Sequence, residues 1–394
     1  MNTYAFIFGS HPKLSFGELE RVLRSQSIRA HSLTLEQNIG LLTTQDAVDA
    51  PHLITLLGGT IKIVQMLGAF DEETVTEYLF SRVDESSKFH FGFSLYAREA
   101  GVSVKQSLKT LQNLGIALKK TLRDDNISCR FVSSHDVALS SVIVHKERLL
   151  KNGVEIVILK GKHELTFGAT LAVQPFQAWS KRDYGRPARD DKSGMLPPKL
   201  ARMMLNLAGV QSGVSVIDPF CGSGTVLQEA LLLGATRIIG SDISDKAIED
   251  TKENMAWFYE SLAKADSPIV ARATIMHSDV RDILKKKIVT EGAMDAIVFE
   301  GYLGKTTPAK ASATRQITEL QQLYRDTFSI LQKSISQDGT IVAALPFWHF
   351  SKSDDLHLPI ESLVRGAGLK LVAQYYYRRP QSIVGREILV LEKR

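Results

Sequence analysis

Asp218-Pro-Phe-Cys-Gly-Ser-Gly-Thr225 is the stretch that decides how this chain is read. It follows the short apolar run Val214 to Ile217 and precedes the helical pattern Val226 to Leu233, so it leaves a buried strand and enters a helix. Glycines at 222 and 224 let the backbone turn sharply there and let a ligand approach where a Cβ would clash. A small molecule meeting backbone at the end of a strand is the expectation.

Outward from this loop, a β/α alternation runs through Val214 to Ile217, Arg237 to Gly240, Ala273 to Met276, Asp295 to Phe299 and Thr340 to Leu345. Leu369 to Tyr377 and Glu387 to Leu391 read as a closing hairpin. Strands spaced by helices predict an α/β fold with a doubly wound, mainly parallel sheet and ligands at the strands' C-terminal ends. Three acids end the first three strands. Asp218 precedes the glycines. Asp242, about two dozen residues on, stands where a carboxylate accepts hydrogen bonds from ribose hydroxyls; capping the helix from Ser244 is its rival role. Asp279, in His277-Ser-Asp-Val-Arg281, stands where a carboxylate can accept an adenine amino proton.

The loop alone fits a dinucleotide, a nucleotide or S-adenosylmethionine. No Gly-x-x-x-x-Gly-Lys-Ser/Thr run exists, which argues against a nucleoside triphosphate, and Asp218 calls for a positively charged ligand group such as an amino-acid ammonium. The sequence here resembles class I S-adenosylmethionine-dependent methyltransferases, in which this octapeptide is a common first motif of amino-group methylases. The resemblance implies a seven-stranded Rossmann-like sheet. It also implies cofactor contacts from Asp218, Phe220, Cys221, Gly222, Gly224, Thr225, Asp242, Ile243, Asp279 and Val280. Cys221 has no activating His beside it and reads as a motif residue rather than a nucleophile.

The fourth strand ends in Asp295-Ala-Ile-Val-Phe-Glu-Gly-Tyr-Leu-Gly304, at the place of the Asp/Asn-Pro-Pro-Tyr motif of enzymes that methylate exocyclic amines of bases. In that family the acid and a backbone carbonyl accept hydrogen bonds from the target amine while the aromatic ring stacks on the base. Aligned on Tyr302, the acid position falls on Phe299, and Glu300 and Gly301 replace the prolines. We assign Glu300, displaced by one residue, as amine acceptor and Tyr302 as the stacking ring; an inert strand-to-loop turn is the alternative.

At 394 residues the chain is long enough for two or three compact units. No apolar run reaches the roughly 18 residues that span a bilayer, and the N-terminus lacks a secretory pattern, so a soluble cytoplasmic protein is expected. Cys129 and Cys221 are the only cysteines, which excludes a disulfide framework and offers no zinc spacing, so no metal is expected. The net charge of +5 is unevenly placed. Residues 1–100 carry 8 basic against 12 acidic side chains, 101–200 carry 17 against 9, and 201–394 carry 23 against 22. A basic surplus confined to the middle suits a polyanion, since phosphate contacts supply sequence-independent affinity; a solvated basic face is the plain alternative. Residues 1–80 read as a small α+β unit and 81–172 as a second one, with a helix from Val104 to Arg123 whose Leu108, Leu111, Leu114 or Gly115, Leu118 and Leu122 share a face. Residues 173–192 lose apolar periodicity and read as a linker, with the catalytic unit at 193–394.

The end of the linker and the start of the catalytic unit, from Arg182-Asp-Tyr-Gly-Arg-Pro-Ala-Arg-Asp-Asp-Lys-Ser-Gly-Met-Leu-Pro-Pro-Lys to Met204, resemble the segment ahead of the catalytic domain in THUMP-containing tRNA guanosine-N2 methyltransferases acting at position ten. Leu118-Lys-Lys-Thr-Leu-Arg123, Leu139-Ser-Ser141 and Asn152-Gly-Val-Glu-Ile156 are similar to that family's THUMP domain. The resemblance implies an N-terminal ferredoxin-like unit, a THUMP unit gripping tRNA, and cofactor contacts from Ser193 and Leu196. Lys119, Lys120, Arg123, Arg130, Arg182, Arg186 and Arg189 are the expected RNA contacts, with Trp179 and Tyr184 as further stacking candidates beside plain packing roles. The reading is tRNA N2-guanosine methylation. A methylase of another RNA or DNA amine, and a tRNA-binding protein with an impaired methylase domain, are its alternatives. The number of methyl groups added, the oligomeric state and any small activating subunit are not written in the sequence.

Overall fold

The computed structural model describes residues 1–84, 87–189, 195–264, 269, 271–287, 289–305, 308–351 and 354–394. The chain divides into two compact units, Met1–Phe16 with Gln26–Gln177, and Gly17–Ser25 with Ala178–Arg394.

The first unit holds one sheet of eight strands: β1 (Asn2–Phe8), β2 (Ala30–Glu36), β3 (Ile39–Thr44), β4 (Thr60–Ala69), β5 (Phe89–Ala97), β6 (Cys129–Val132), β7 (Gly153–Lys160) and β8 (Leu165–Val173). Their order is β2-β3-β1-β4-β8-β7-β5-β6. Residues 1–80 and 81–172 therefore share one continuous sheet through the antiparallel β4/β8 pair, and no break between compact units falls at residue 80. The helix Leu108–Asp124 buries Leu111, Gly115, Leu118 and Leu122, a stripe at helical spacing. Gly115 is required there because a Cβ would lie 2.1 Å from the Phe131 ring. The next helix, Ser141–Lys146, is short; Ser140 accepts the Ile143 N–H and caps it, which fixes its start.

The second unit carries β9 (Ser215–Asp218), β10 (Arg237–Asp242), β11 (Ala273–His277), β12 (Met294–Glu300), β13 (Ile335–Ser351), β14 (Asp354–Leu356), β15 (Leu369–Tyr377) and β16 (Val384–Lys393). Seven of them form a sheet in the order β11-β10-β9-β12-β13-β16-β15, and β14 pairs with β13. Neighbours from β11 to β13 run parallel, while β16 is antiparallel to both β13 and β15. The strand order reverses between β9 and β12, and a cleft outside the carboxyl ends of the strands is expected at that switch point. β12 reads as a near-continuous apolar run because both of its faces are covered, and Ala296 through Phe299 are fully buried. Phe299 packs into a cluster with Tyr324, Phe328, Leu331, Leu345 and Leu389, each side chain worth about 1.5–3 kcal/mol of transfer free energy.

The unit boundary at 177/178 lies inside the segment read as a linker, but that segment is not structureless. Phe176–Tyr184 is a helix. Its Trp179 is buried under a ring of cations, with Arg182 at 4.3 Å, Arg202 at 5.6 Å and Lys199 at 5.9 Å from the ring, so burial and cation–π contact outweigh the weak periodicity that suggested a loop.

Candidate active site

The first motif residues close the end of β9 as a tight cradle. Gly222 and Gly224 have φ of +50° and +84°, which side chains with a Cβ rarely adopt. The Gly224 N–H donates to the Cys221 carbonyl at 2.7 Å, and the Cys221 N–H reaches across to the Ser241 carbonyl of β10 at 2.9 Å. Gly240, which carries no motif signal in the sequence, is equally necessary: a Cβ there would lie 2.6 Å from Leu227 and 3.2 Å from Cys221. From below, Thr251 donates to the Gly222 carbonyl at 2.6 Å, and Asn254 donates to the Ser223 and Ala188 carbonyls at 3.0 Å. Helix Asp245–Lys264 thus fixes the loop and the linker together.

A cleft of about 620 Å³ opens above this cradle, lined by Asp218, Phe220, Cys221, Gly222, Thr225, Asp242, Ile243, Asp279, Val280, Glu300, Tyr302 and Leu196, among others. Almost the whole expected cofactor set is brought together; Gly224 lies beneath it as the N-cap of helix Thr225–Leu232, and Ser193 lies outside the described residues. Asp218 is 2% exposed. Its Oδ1 accepts the Phe220 N–H at 3.0 Å, and Oδ2 accepts nothing among the described residues. Burial pushes its carboxyl well above the usual carboxylate range; the Phe220 N–H opposes this, while Asp242 and Glu300 add repulsion. The Cys221 thiol is likewise pushed up by burial and by Asp218, which leaves it protonated and inert as a nucleophile.

Asp242 accepts the Gly222 N–H at 3.0 Å and the Ser244 N–H at 2.9 Å, so it ties loop to strand while still lining the cleft; the side chain of Ser244, through Ala247, caps the helix. Asp279 is more fully engaged than expected. It accepts the Arg281 backbone N–H at 2.8 Å and the Arg281 guanidinium on both oxygens. That fork holds its carboxyl below the usual range. Any hydrogen bond to a ligand amino group must share this carboxylate with Arg281.

At the far side of the cleft, the pleat settles the register of the variant motif. Phe299 points into the core and stacks on Phe220 with centroids 5.2 Å apart, whereas Glu300 points to the cleft. Of the two, Glu300 is the residue that lines the cleft, and Phe299 is taken up by the core. Its Oε1 accepts a hydrogen bond from Arg386 of β16, a residue with no local signal in the sequence. Gly301 has no room for a side chain, since a Cβ would lie 2.4 Å from the Tyr324 hydroxyl. Tyr324, buried and kept a neutral phenol by burial and by Glu300, donates to the Tyr302 carbonyl at 2.8 Å. The Tyr302 ring itself is 61% exposed at the mouth of the cleft.

The expected RNA contacts divide. Lys120, Arg123 and Arg130 are exposed and Lys119 is half-buried in the first unit, with Arg130 3.3 Å from Glu147. Two of the linker arginines are corrected. Arg186 is 3% exposed and donates to Thr225 at 2.5 Å, and Arg182 pairs with the buried Glu229 at 2.6 Å; both serve the interior of the second unit. Arg189 is exposed over the exposed Tyr184, while Trp179 takes its packing role rather than a stacking one. Among the described residues no group of acids, histidines and cysteines could hold a metal, and no helix is long and apolar enough to cross a membrane.

The cleft fits the cofactor implied by the loop. Three carboxylates, Asp218, Asp242 and Glu300, face one partly dry space, and the unpartnered Oδ2 of Asp218 is best satisfied by a cationic donor such as the ammonium of S-adenosylmethionine. When bound, that molecule supplies an electrophilic methyl group on a sulfonium.

Comparison with known proteins agrees with this geometry. Residues 186–296 match the UPF0020 family, the RMKL-like methyltransferase domain. A tRNA (guanine(10)-N2)-dimethyltransferase of Methanothermobacter thermautotrophicus is 31% identical over 201 residues, 51% of this chain and 50% of that protein. The chain thus spans about half the length of this curated relative in the matched region. The crystal structure of TrmN from Thermus thermophilus is similar over 100% of both chains, with a TM-score of 0.58 and 18% identity. That of SMU.472, a putative methyltransferase complexed with SAH, is similar over 100% of this chain and 98% of its own, with a TM-score of 0.53 and 11% identity. The unit that carries the cleft contains the stretch that matches the RMKL-like methyltransferase domain, and it has the fold of class I S-adenosylmethionine-dependent methyltransferases.

Proposed function

We propose that this protein transfers a methyl group from S-adenosylmethionine to the exocyclic N2 amine of a guanosine in tRNA, at position ten, in the cytoplasm. The observation that carries the reading is Glu300: a carboxylate at the carboxyl end of β12, facing the same cleft as Asp218 and Asp242, with Oε2 accepting no hydrogen bond among the described residues. Asp218 anchors the ammonium and Asp242 the ribose of the cofactor. Glu300 Oε2 accepts one N–H of the target amine, which draws its lone pair out of conjugation with the ring and turns it toward the methyl. The carbon–sulfur bond breaks as the carbon–nitrogen bond forms, sulfur keeps the electron pair, and the amine gives up one proton to Glu300 or water. Tyr302, exposed at the mouth, offers a stacking surface to a guanine extruded from its helix.

The relative that acts on guanine 10 supports the choice of base and position. We assign the first unit, with Lys119, Lys120, Arg123 and Arg130, to a THUMP-like tRNA grip preceded by a ferredoxin-like part, and assign Arg189 of the second unit as a further tRNA contact. The test uses labelled S-adenosylmethionine and two tRNA transcripts, one with guanosine and one with inosine at position ten, which differ by the amine alone. Label recovered as N2-methylated guanosine from the first and none from the second is expected; equal labelling of both, or label on DNA alone, overturns the reading.

A further inference from the structure

The Glu300 carboxylate is held by a residue two strands away. β13 lies between β12 and β16, with Glu300 level with Ala344 and Arg386 level with Pro346. Residues 300, 344, 346 and 386 share one face of the pleat, so Arg386 must cross the whole width of β13 to reach Glu300. It can do so because the residues between them on that face of β13, Ala344 and Pro346, are small, and because two strand spacings of about 4.8 Å each are within reach of an arginine and a glutamate together. On its other side Arg386 lies 6.0 Å from the Tyr377 ring of β15. The two side chains are 12% and 14% exposed, which makes this a nearly dry pair at the wall of the cleft. A dry carboxylate with a free oxygen and no cation would be strongly disfavoured, and a swinging one would meet the amine in many geometries.

We propose that Arg386 is a positioning residue for methyl transfer: it binds Oε1 of Glu300 and leaves Oε2 as the single open acceptor for the target amine. The proposal rests on the reading of Glu300 as amine acceptor. Arg386 touches neither methyl donor nor base in this scheme and acts only through Glu300.

Single-turnover transfer to tRNA, together with binding constants for cofactor and tRNA, tests it with Arg386→Ala, Arg386→Lys, Glu300→Ala and the double alanine variant. Arg386→Ala is expected to slow transfer about 10- to 100-fold while both binding constants stay within about threefold. Arg386→Lys keeps the charge without the reach and is expected to be nearly as slow; it serves as the second variant should the alanine protein fail to fold. Millimolar guanidinium should restore part of the rate to Arg386→Ala and none to Glu300→Ala, and the double variant should be no slower than Glu300→Ala alone. Wild-type rates in Arg386→Ala or Arg386→Lys, no guanidinium rescue, or a multiplicative loss in the double variant overturns the positioning role. A wild-type protein that methylates no tRNA, or a Glu300→Ala protein at the wild-type rate, would instead sink the reading of the site itself.

Discussion

Two buried carboxylates, Glu155 in the first unit and Glu300 in the second, meet opposite surroundings. Glu155 is fully buried and fully used: Oε1 accepts from Lys62 and from Ser94 at 2.5 Å, and Oε2 accepts from Thr170 at 2.6 Å. Lys62 gives a second bond to the Leu139 carbonyl at 2.6 Å. Lys62, Ser94, Glu155 and Thr170 stand on β4, β5, β7 and β8, four strands that are neighbours in the sheet, so the network staples them in register. Among the described residues Glu300 has one cation, on Oε1, and no partner on Oε2. A carboxylate whose acceptors are all filled can only hold a fold together; one with an acceptor left facing a cleft can hold a substrate. Asp218 extends the contrast, since it too is buried and pairs with no cation among the described residues.

Truncating each acid separates the two carboxylates most strongly. Glu155→Ala leaves Lys62 buried and unpaired and should lower the unfolding free energy of the first unit by about 3–5 kcal/mol in a denaturant titration, whereas replacing Lys62 and Glu155 together by apolar residues should be nearly neutral. Glu300→Ala also strips Arg386 of its partner, but Arg386 is 12% exposed against 1% for Lys62 and can turn to water, so the cost to the second unit should be smaller, about 1–3 kcal/mol. Equal losses from the two truncations would erase the distinction.

Asp218→Asn sharpens it in the other direction. In the folded protein this carboxyl holds its proton at pH values where the unfolded chain has lost it, because burial raises it above the ordinary 3.8. Its contribution to stability is complete below that ordinary value and is lost as pH rises toward the folded one. The asparagine variant should therefore be more stable than wild type near neutral pH, by about 0.5–2 kcal/mol, with the difference vanishing in acid, and should lose cofactor binding in calorimetry. A variant less stable at neutral pH, or one that still binds cofactor normally, would contradict the assignment of Asp218 as a ligand acid kept at a cost in stability.

The smallest expected effect belongs to the exposed cations of the first unit. Each of Lys120→Ala and Arg123→Ala should weaken tRNA binding a few-fold, lower the salt dependence by about one counterion, and leave cofactor affinity untouched. Arg186→Ala should do the reverse, since it supports Thr225 beneath the cofactor.

Much of the second unit was legible because its information is local. The octapeptide, the acids at successive strand ends and the apolar strands at regular intervals are patterns of neighbours, and they led to the sheet and most of the cleft. What was hidden came from distance in the chain. Arg386 lies 86 residues from Glu300. Arg182 and Arg186 read as a basic surface because composition does not reveal that Glu229, on another helix, and Thr225 receive them. The continuity of the first sheet through β4 and β8 depends on a pairing about a hundred residues apart, so a boundary near residue 80 was the natural reading of an unpaired sequence. In the variant motif, by contrast, the alternation of Phe299 and Glu300 between core and cleft was available in advance from the period of a strand.

Glu300 is proposed to present the acceptor for a guanosine amine in the cleft that binds the methyl donor. The most direct test of that role is single-turnover transfer from labelled S-adenosylmethionine to a guanosine-10 transcript by Glu300→Ala at saturating cofactor. A rate lower by about 100-fold or more is expected, with cofactor affinity within about twofold of wild type. Transfer at the wild-type rate would contradict it.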